Sequence, residues 1–210
     1  MQPLLSFTYI MKHFTVLLLL LLSAYSANAQ FGENHAIYAS SGLHAGNYFG
    51  LNSNIDYVYK EKYSFRIGYS IYIREPDSKP DDFSLGLFDA LSLFNHFDQL
   101  ETYQIMVGRV YKFNKRGTIR LNLSIGLGLT NSREPENWQR TNSFLFSRNY
   151  NWDYNEFQNI SFIINPKIEF PLTRYAGLAI SPIFQINKDR TYFGIGLESM
   201  LGLLRKRNKL

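Results

Sequence analysis

The chain has 210 residues, with 22 Lys and Arg against 17 Asp and Glu, 16% aromatics and no cysteine. The missing cysteine excludes disulfides, thiolate metal sites and a lipid-modified N-terminal cysteine. The net charge of +5 is concentrated at the C-terminus, in Arg205, Lys206, Arg207 and Lys209. Without those residues and Lys12 the chain is close to neutral, so residues 205–210 read as a solvated basic tail and no nucleic-acid partner is expected.

Residues 1–29 read as a secretory signal. Lys12 and His13 precede the apolar run Phe14 to Leu22, and Ala27-Asn28-Ala29 before Gln30 fits an A-x-A cleavage site. Met11-Lys12 offers a second start, which would leave residues 1–10 untranslated. The apolar run is shorter than the roughly 20 residues a spanning helix needs. Residues 30–204 have the size of one domain.

Eight strands are predicted in chain order from alternation, because successive side chains of a strand point to opposite faces. The first, near 36–45, is weak: Ile37, Ala39 and Leu43 share a face. The second, about 51–60, sets Leu51, Ile55, Tyr57 and Tyr59 against Asn52, Asn54, Asp56 and Lys60. The third sets Tyr63, Phe65, Ile67, Tyr69, Ile71 and Ile73 against Ser64, Arg66, Gly68, Ser70 and Arg74. The fourth, about 102–113, has Tyr103, Ile105, Val107, Tyr111 and Phe113 on its apolar face, interrupted by Arg109. That interruption reads as snorkelling toward an interface or as a phase-shifting bulge.

The fifth, about 118–130, is the clearest: Ile119 to Leu129 supply every second position, opposite Arg120, Asn122, Ser124, Gly126 and Gly128. The sixth, about 159–170, opposes Ile160, Phe162, Ile164, Ile168 and Phe170 to Ser161, Asn165, Lys167 and Glu169. The seventh, about 178–186, opposes Leu178, Ile180, Phe184 and Ile186 to Ala179, Ser181 and Gln185. The eighth, about 192–203, opposes Phe193, Ile195, Leu197, Leu201 and Leu203 to Gly194, Gly196, Glu198 and Gly202. Pro166 and Pro182 fall inside strands and predict bulges, since proline removes a ladder donor.

Connections at 61–62, 114–117 and 173–177 are tight, whereas 75–101 and 131–158 are long. Short turns on one side and long loops on the other are the pattern of an up-and-down transmembrane β-barrel with its long loops outside the cell. Tyr57, Tyr59, Tyr63, Tyr111, Phe113, Phe170 and Tyr175 form one predicted aromatic belt, and Tyr48, Phe49, Tyr103, Phe157, Tyr192 and Phe193 the other. A soluble barrel would bury the apolar phase and carry Lys, Glu and Thr outside. The Gly, Ser and Asn of the polar phase instead suit a narrow lumen.

The signal, the eight strands, the Gly-x-Gly steps at Gly126–Gly128 and Gly194–Gly196, and the final strand from Tyr192 to Ser199 resemble the small outer-membrane β-barrel family common in Bacteroidota. The chain is thereby similar to the OmpA transmembrane domain and OmpX-type barrels. The resemblance covers the whole chain after the signal and implies an all-β, eight-stranded antiparallel barrel in the outer membrane. Relatives often end on an aromatic residue that serves as an assembly signal; here Leu203-Leu204 precedes the basic tail.

Asp56, Lys60, Arg66, Arg74, Lys112, Arg120, Lys167, Glu169 and Glu198 are the candidate lumen network. Enclosed charges must pair, which predicts a salt-bridged plug; a narrow channel for small solutes or protons is the alternative. In the first long loop, Phe83, Leu87, Leu91 and Phe94 follow helical spacing behind the potential cap Asp81-Asp82. That segment reads as a lid or a docking surface.

In the second long loop, Trp138, Phe144, Phe146, Tyr150, Trp152 and Tyr154 alternate with Arg133, Arg140 and Arg148. Such residues anchor interfaces or stack on sugars, so a protein, glycan or lipopolysaccharide contact stands beside a self-packed hairpin. Asp153, Asn155 and Glu156 lack the spacing and glycine of a calcium loop, and Gly194-Ile195-Gly196 lacks the rest of a dinucleotide fingerprint. No metal or cofactor is expected. His35, His44 and His96 lie in no catalytic motif, and only His44 is placed near a rim, so a lipid-modifying enzyme is the weakest reading. The expected molecule is a monomer in contact with outer-membrane lipid. The pattern leaves ten strands open if the segments around Phe83 or Phe144 pair.

Overall fold

The structure is a computed structural model that describes residues 34–85, 96–114, 117–141 and 148–205. The predicted signal, Leu87, Leu91, Phe94, Phe144, Phe146 and the tail beyond Arg205 lie outside the described residues. Eight strands close into one antiparallel barrel in sequence order. They are β1 (Ala36–Gly46), β2 (Phe49–Tyr59), β3 (Tyr63–Arg74), β4 (Asp98–Lys112), β5 (Arg120–Arg140), β6 (Tyr150–Phe170), β7 (Ala176–Ile186) and β8 (Thr191–Leu203). β1 pairs with β8 from Ile37↔Leu203 to Gly46↔Gly194, so no strand edge is left open there.

The alternation read from the sequence sorts the two surfaces. Ile105 is 65% exposed and Met106 only 3%. The same contrast runs around the barrel: Ile55, Ile67, Ile125, Phe162 and Leu197 are exposed, whereas Asp56, Arg66, Lys167, Glu169 and Glu198 are fully or almost fully buried. This inverts the usual ordering of a soluble protein. Eight strands leave room for little more than side chains inside. Two apolar clusters flank the charges. Tyr38, Val58, Val110, Met200 and Leu204 gather at the tight-turn end; Tyr72, Leu100, Ile163 and Tyr192 gather toward the loop end.

β5 and β6 are far longer than the alternation indicates. Their pairing continues from the barrel wall through Arg133↔Glu156 to Arg140↔Tyr150. The second long loop is therefore mostly a two-stranded hairpin, about 30 Å long at ~3.3 Å per residue. It carries the one register shift in β5–β6, between Glu136 and Gln139, where Asn137 has φ 53°.

Three expectations about irregularities need correction or completion. Pro166 and Pro182 mark no bulge. The β6–β7 register is the same on either side, Ile164↔Phe184 and Ile168↔Ile180, so the two prolines stand opposite each other. Neither has an N–H, and Asn165 Nδ2 donates to the Pro182 carbonyl at 2.5 Å in the interrupted stretch. Arg109 likewise marks no bulge, because its register with Tyr63 and Leu123 is continuous. It lies outside the barrel over the Tyr111 ring at 5.3 Å, which is snorkelling at a rim. Tyr48 and Tyr192, assigned to the loop-side belt, are instead buried, with their rings 6.1 Å apart.

Candidate functional site

The centre of the lumen brings together residues from five strands. Arg66 Nε of β3 donates to Asp56 Oδ1 of β2 at 2.6 Å. Lys167 Nζ of β6 lies 2.7 Å from Glu198 Oε2 of β8 and 3.6 Å from Asp56 Oδ2. It also donates to Ser40 Oγ at 2.9 Å, and that hydroxyl in turn donates to Asp56 at 2.9 Å. His44 Nε2 of β1 stands 3.2 Å from Glu198 Oε1. Arg66 also donates to Asn165 Oδ1 of β6. Two carboxylates and two cations thus offset each other, with hydroxyl and amide groups filling the remaining hydrogen-bond positions.

A second group lies nearer the tight turns. Arg120 pairs with Glu169, which also accepts from Tyr38 Oη at 2.7 Å and Asn122 Nδ2 at 3.1 Å. Arg120 Nη1 donates to the Leu204 carbonyl at 2.8 Å. That bond draws the chain after β8 across the end of the barrel, where Leu204 is completely buried. A third group sits at the loop-end mouth. Arg74 Nε donates to Asp98 Oδ2 at 2.7 Å, Tyr48 Oη donates to the same oxygen at 2.8 Å, and Arg190 pairs with Glu134. Between this mouth and the central charges, the Tyr72 and Tyr192 rings stack at 4.0 Å.

Of the predicted lumen residues, Asp56, Arg66, Arg120, Lys167, Glu169 and Glu198 are inside. Arg74 is at the mouth and 24% exposed. Lys60 and Lys112 are corrections: both are outside, at the tight-turn rim. β2 stops at Tyr59, and Lys60 enters the turn with φ 50°, its ammonium over the Tyr59 ring. Lys112 Nζ reaches Glu61 at 2.5 Å. His44 is a correction too, being fully buried in the lumen rather than at a rim. Its phase with Ser40 was legible, but the small outward residues Ala39, Ser41 and Ala45 blur it. Asp98 escapes the sequence pattern, because it begins β4 where the alternation is weakest.

The loop-side aromatics pack mainly on their own protein. Trp138 and Trp152 face each other across the hairpin at 5.0 Å, and Phe83 meets them at 5.2 and 5.9 Å. Phe83 is not in a helix. Among the described residues Asp82 caps no helix, and its carboxylate accepts from Tyr150 Oη at 2.7 Å. Trp138 Nε1 donates to Ser78 Oγ at 3.1 Å, and the Asn149 side chain bonds the backbone of both Ser84 and Asp82. The segment around 75–85 therefore lies along the hairpin. Arg133 covers the Tyr154 ring at 3.6 Å and Arg148 the Trp152 ring at 4.7 Å. Nearby His96 is shifted below the usual histidine range, chiefly by burial and secondarily by Lys79, with Glu75 opposing.

No protein-family model matches the sequence, and a search of curated proteins finds no relative. Solved structures do match. The N-terminal β-barrel domain of Pseudomonas aeruginosa OprF is 14% identical, with a TM-score of 0.50, over 82% of this chain and 99% of that one. A major outer membrane protein from Thermus thermophilus is 10% identical, with a TM-score of 0.50, over 80% of this chain and 100% of that one. At these identities the likeness is one of fold, and this chain shares the β-barrel architecture.

Proposed function

We propose that the protein is an outer-membrane barrel with a structural or surface-interaction role, its lumen plugged by the ion-pair network and its long hairpin projecting from the cell. The observation that carries this reading is the inverted surface. Apolar side chains face outward along every strand while charges are buried within, an arrangement that is costly in water and favourable in lipid. The tight turns then lie in the periplasm and the hairpin outside. The half-buried Trp138–Trp152 pair, with Arg133, Arg140 and Arg148 around it, supplies the rigid aromatic and guanidinium groups that protein, glycan or lipopolysaccharide contacts use.

The plug is supported by pairing among the buried charges, which would need partners from water in an open channel. Recording across planar bilayers tests it. The reconstituted protein is expected to show no steady conductance. A steady conductance that disappears when Arg66 and Glu198 are altered would replace the plug with a narrow channel.

A further inference from the structure

The tight-turn rim carries a repeated arrangement that the lumen and hairpin do not explain. Lys60 Nζ lies 5.1 Å from the centre of the Tyr59 ring and Lys62 Nζ 5.3 Å from that of Tyr63. The guanidinium of Arg109 lies 5.3 Å from Tyr111 and that of Arg174 5.3 Å from Tyr175. All four tyrosines point outward and are exposed. Tyr59 pairs with Tyr63, and Tyr63 with Arg109, so three of the sets are neighbours on β2, β3 and β4. The fourth is at the start of β7.

Ion pairing is denser at the other end of the barrel, where Arg74, Lys79, Arg133, Arg140 and Arg190 each meet a carboxylate. At the tight-turn end Lys112 takes the carboxylate of Glu61. Lys60, Lys62, Arg109 and Arg174 form no ion pair among the described residues. Arg174 Nε is shut away from solvent without a hydrogen-bond partner. These are uncompensated positive charges held at fixed height by aromatic rings.

That height is the edge of the apolar belt. Tyrosine rings settle at the headgroup level of a bilayer, and a cation over such a ring lies beside the phosphates. We propose that the four Tyr–cation pairs form a collar that binds the phosphodiester headgroups of anionic phospholipid in the leaflet at the tight-turn end. The inference rests on the transmembrane reading. The chemistry required is a phosphate oxygen accepting from Lys Nζ or from the outward edge of an Arg guanidinium while the acyl chains follow the apolar strand faces. The collar fixes the depth of the barrel and selects the lipid around its inner end.

The test folds the full chain into vesicles of phosphatidylcholine alone and of phosphatidylcholine with phosphatidylglycerol. Spin-labelled versions of each lipid report the fraction immobilised at the protein surface. The expected result is insertion into both, with phosphatidylglycerol favoured severalfold, about fivefold at low salt, and the preference shrinking as salt is raised. The quadruple variant K60Q/K62Q/R109Q/R174Q is expected to insert and lose the preference. The exchanges Lys60→Arg and Arg109→Lys are expected to keep it, as are Arg140→Gln and Arg148→Gln at the loop end.

Insertion with equal association of the two lipids overturns the collar and leaves the transmembrane reading intact. So does a preference that survives in the quadruple variant. Retention of the folded protein by peptidoglycan, with no lipid preference, overturns it in favour of another partner. Failure to insert into either vesicle overturns the transmembrane reading and the collar together.

Discussion

Lys167 is completely buried, and its ammonium holds two carboxylates from strands that would otherwise face each other with like charge. Removing one member of such a set leaves a charge enclosed without a partner, which costs about 3–5 kcal/mol. Lys167→Met is therefore expected to lower the stability of the folded barrel by that order, read as the urea midpoint in lipid vesicles. Adding Glu198→Gln to Lys167→Met should recover a part of the loss, because the second change removes the stranded carboxylate. Equal stability of wild type and Lys167→Met would show that the network is not what fills the lumen.

Gly196 is as sensitive for a steric reason. A Cβ there would stand 2.3 Å from His44 Nε2 and within 2.5 Å of two further ring atoms. The imidazole lies flat against that glycine to reach Glu198. Gly196→Ala is expected to cost about 1–3 kcal/mol through overpacking, measured by the same urea titration, with His44→Ala in the same chain restoring the space. A loss that His44→Ala fails to reduce would argue against this contact.

At the scale of elements, the β2–β3 turn is built from two non-glycine residues at positive φ, Lys60 at 50° and Glu61 at 56°. A primed turn matches the twist of a hairpin but asks for Gly or Asn at those positions. Lys60→Asn is expected to raise stability by about 0.5–1 kcal/mol, seen as a higher urea midpoint. No rise would mean that the cation over Tyr59 offsets the strain.

The docking of segment 75–85 onto the hairpin is expected to depend on pH through His96. The folded protein holds this imidazole below its ordinary value of 6.5, so the packed state favours the neutral ring. The contribution is complete above the ordinary histidine pKa. It is lost progressively as pH falls from there through the lowered folded value. His96 touches Phe83, which touches Trp138. Tryptophan emission is expected to shift to the red between pH 7 and 5 and to stop shifting in His96→Gln. An unchanged red shift in that variant would place the titration elsewhere.

These elements also show what was legible in the sequence. Strands crossing the apolar belt were readable because one face must be apolar and the other polar or small, as in β5 from Leu121 to Leu129. β5 beyond Leu129 and β6 before Ile160 were not. Above the belt both faces of a hairpin meet water, so nothing forces residues to alternate. His44 was hidden by small residues in β1, and the proline pair because bulge and ladder gap look alike until the partner strand is known. Lys60 and Lys112 were misplaced because phase alone does not say where a strand leaves the barrel wall.

For the whole molecule, the height of the belt can be read along β4. Its outward residues are polar at Glu101, apolar through Tyr103, Ile105 and Val107, and cationic at Arg109. The nine residues from Glu101 to Arg109 match the roughly 9–11 that a tilted strand uses to cross a bilayer. At the upper boundary, Glu101, Asn131 and Gln158 stand in one row on β4, β5 and β6. The lower boundary is the rim of tyrosines and cations. Between the two, exposed Leu, Ile, Val and Phe cover the wall, an apolar area of a kind that water-soluble monomers rarely leave open.

The central claim is a closed barrel whose apolar wall lies in the outer membrane around a filled interior. It is tested most directly by gel migration of the native protein extracted from outer-membrane fractions, with and without boiling. The account predicts a faster, compact band in the unboiled sample that converts to the full-length position on heating. A chain recovered in the water-soluble fraction without detergent, migrating identically before and after heating, would contradict it.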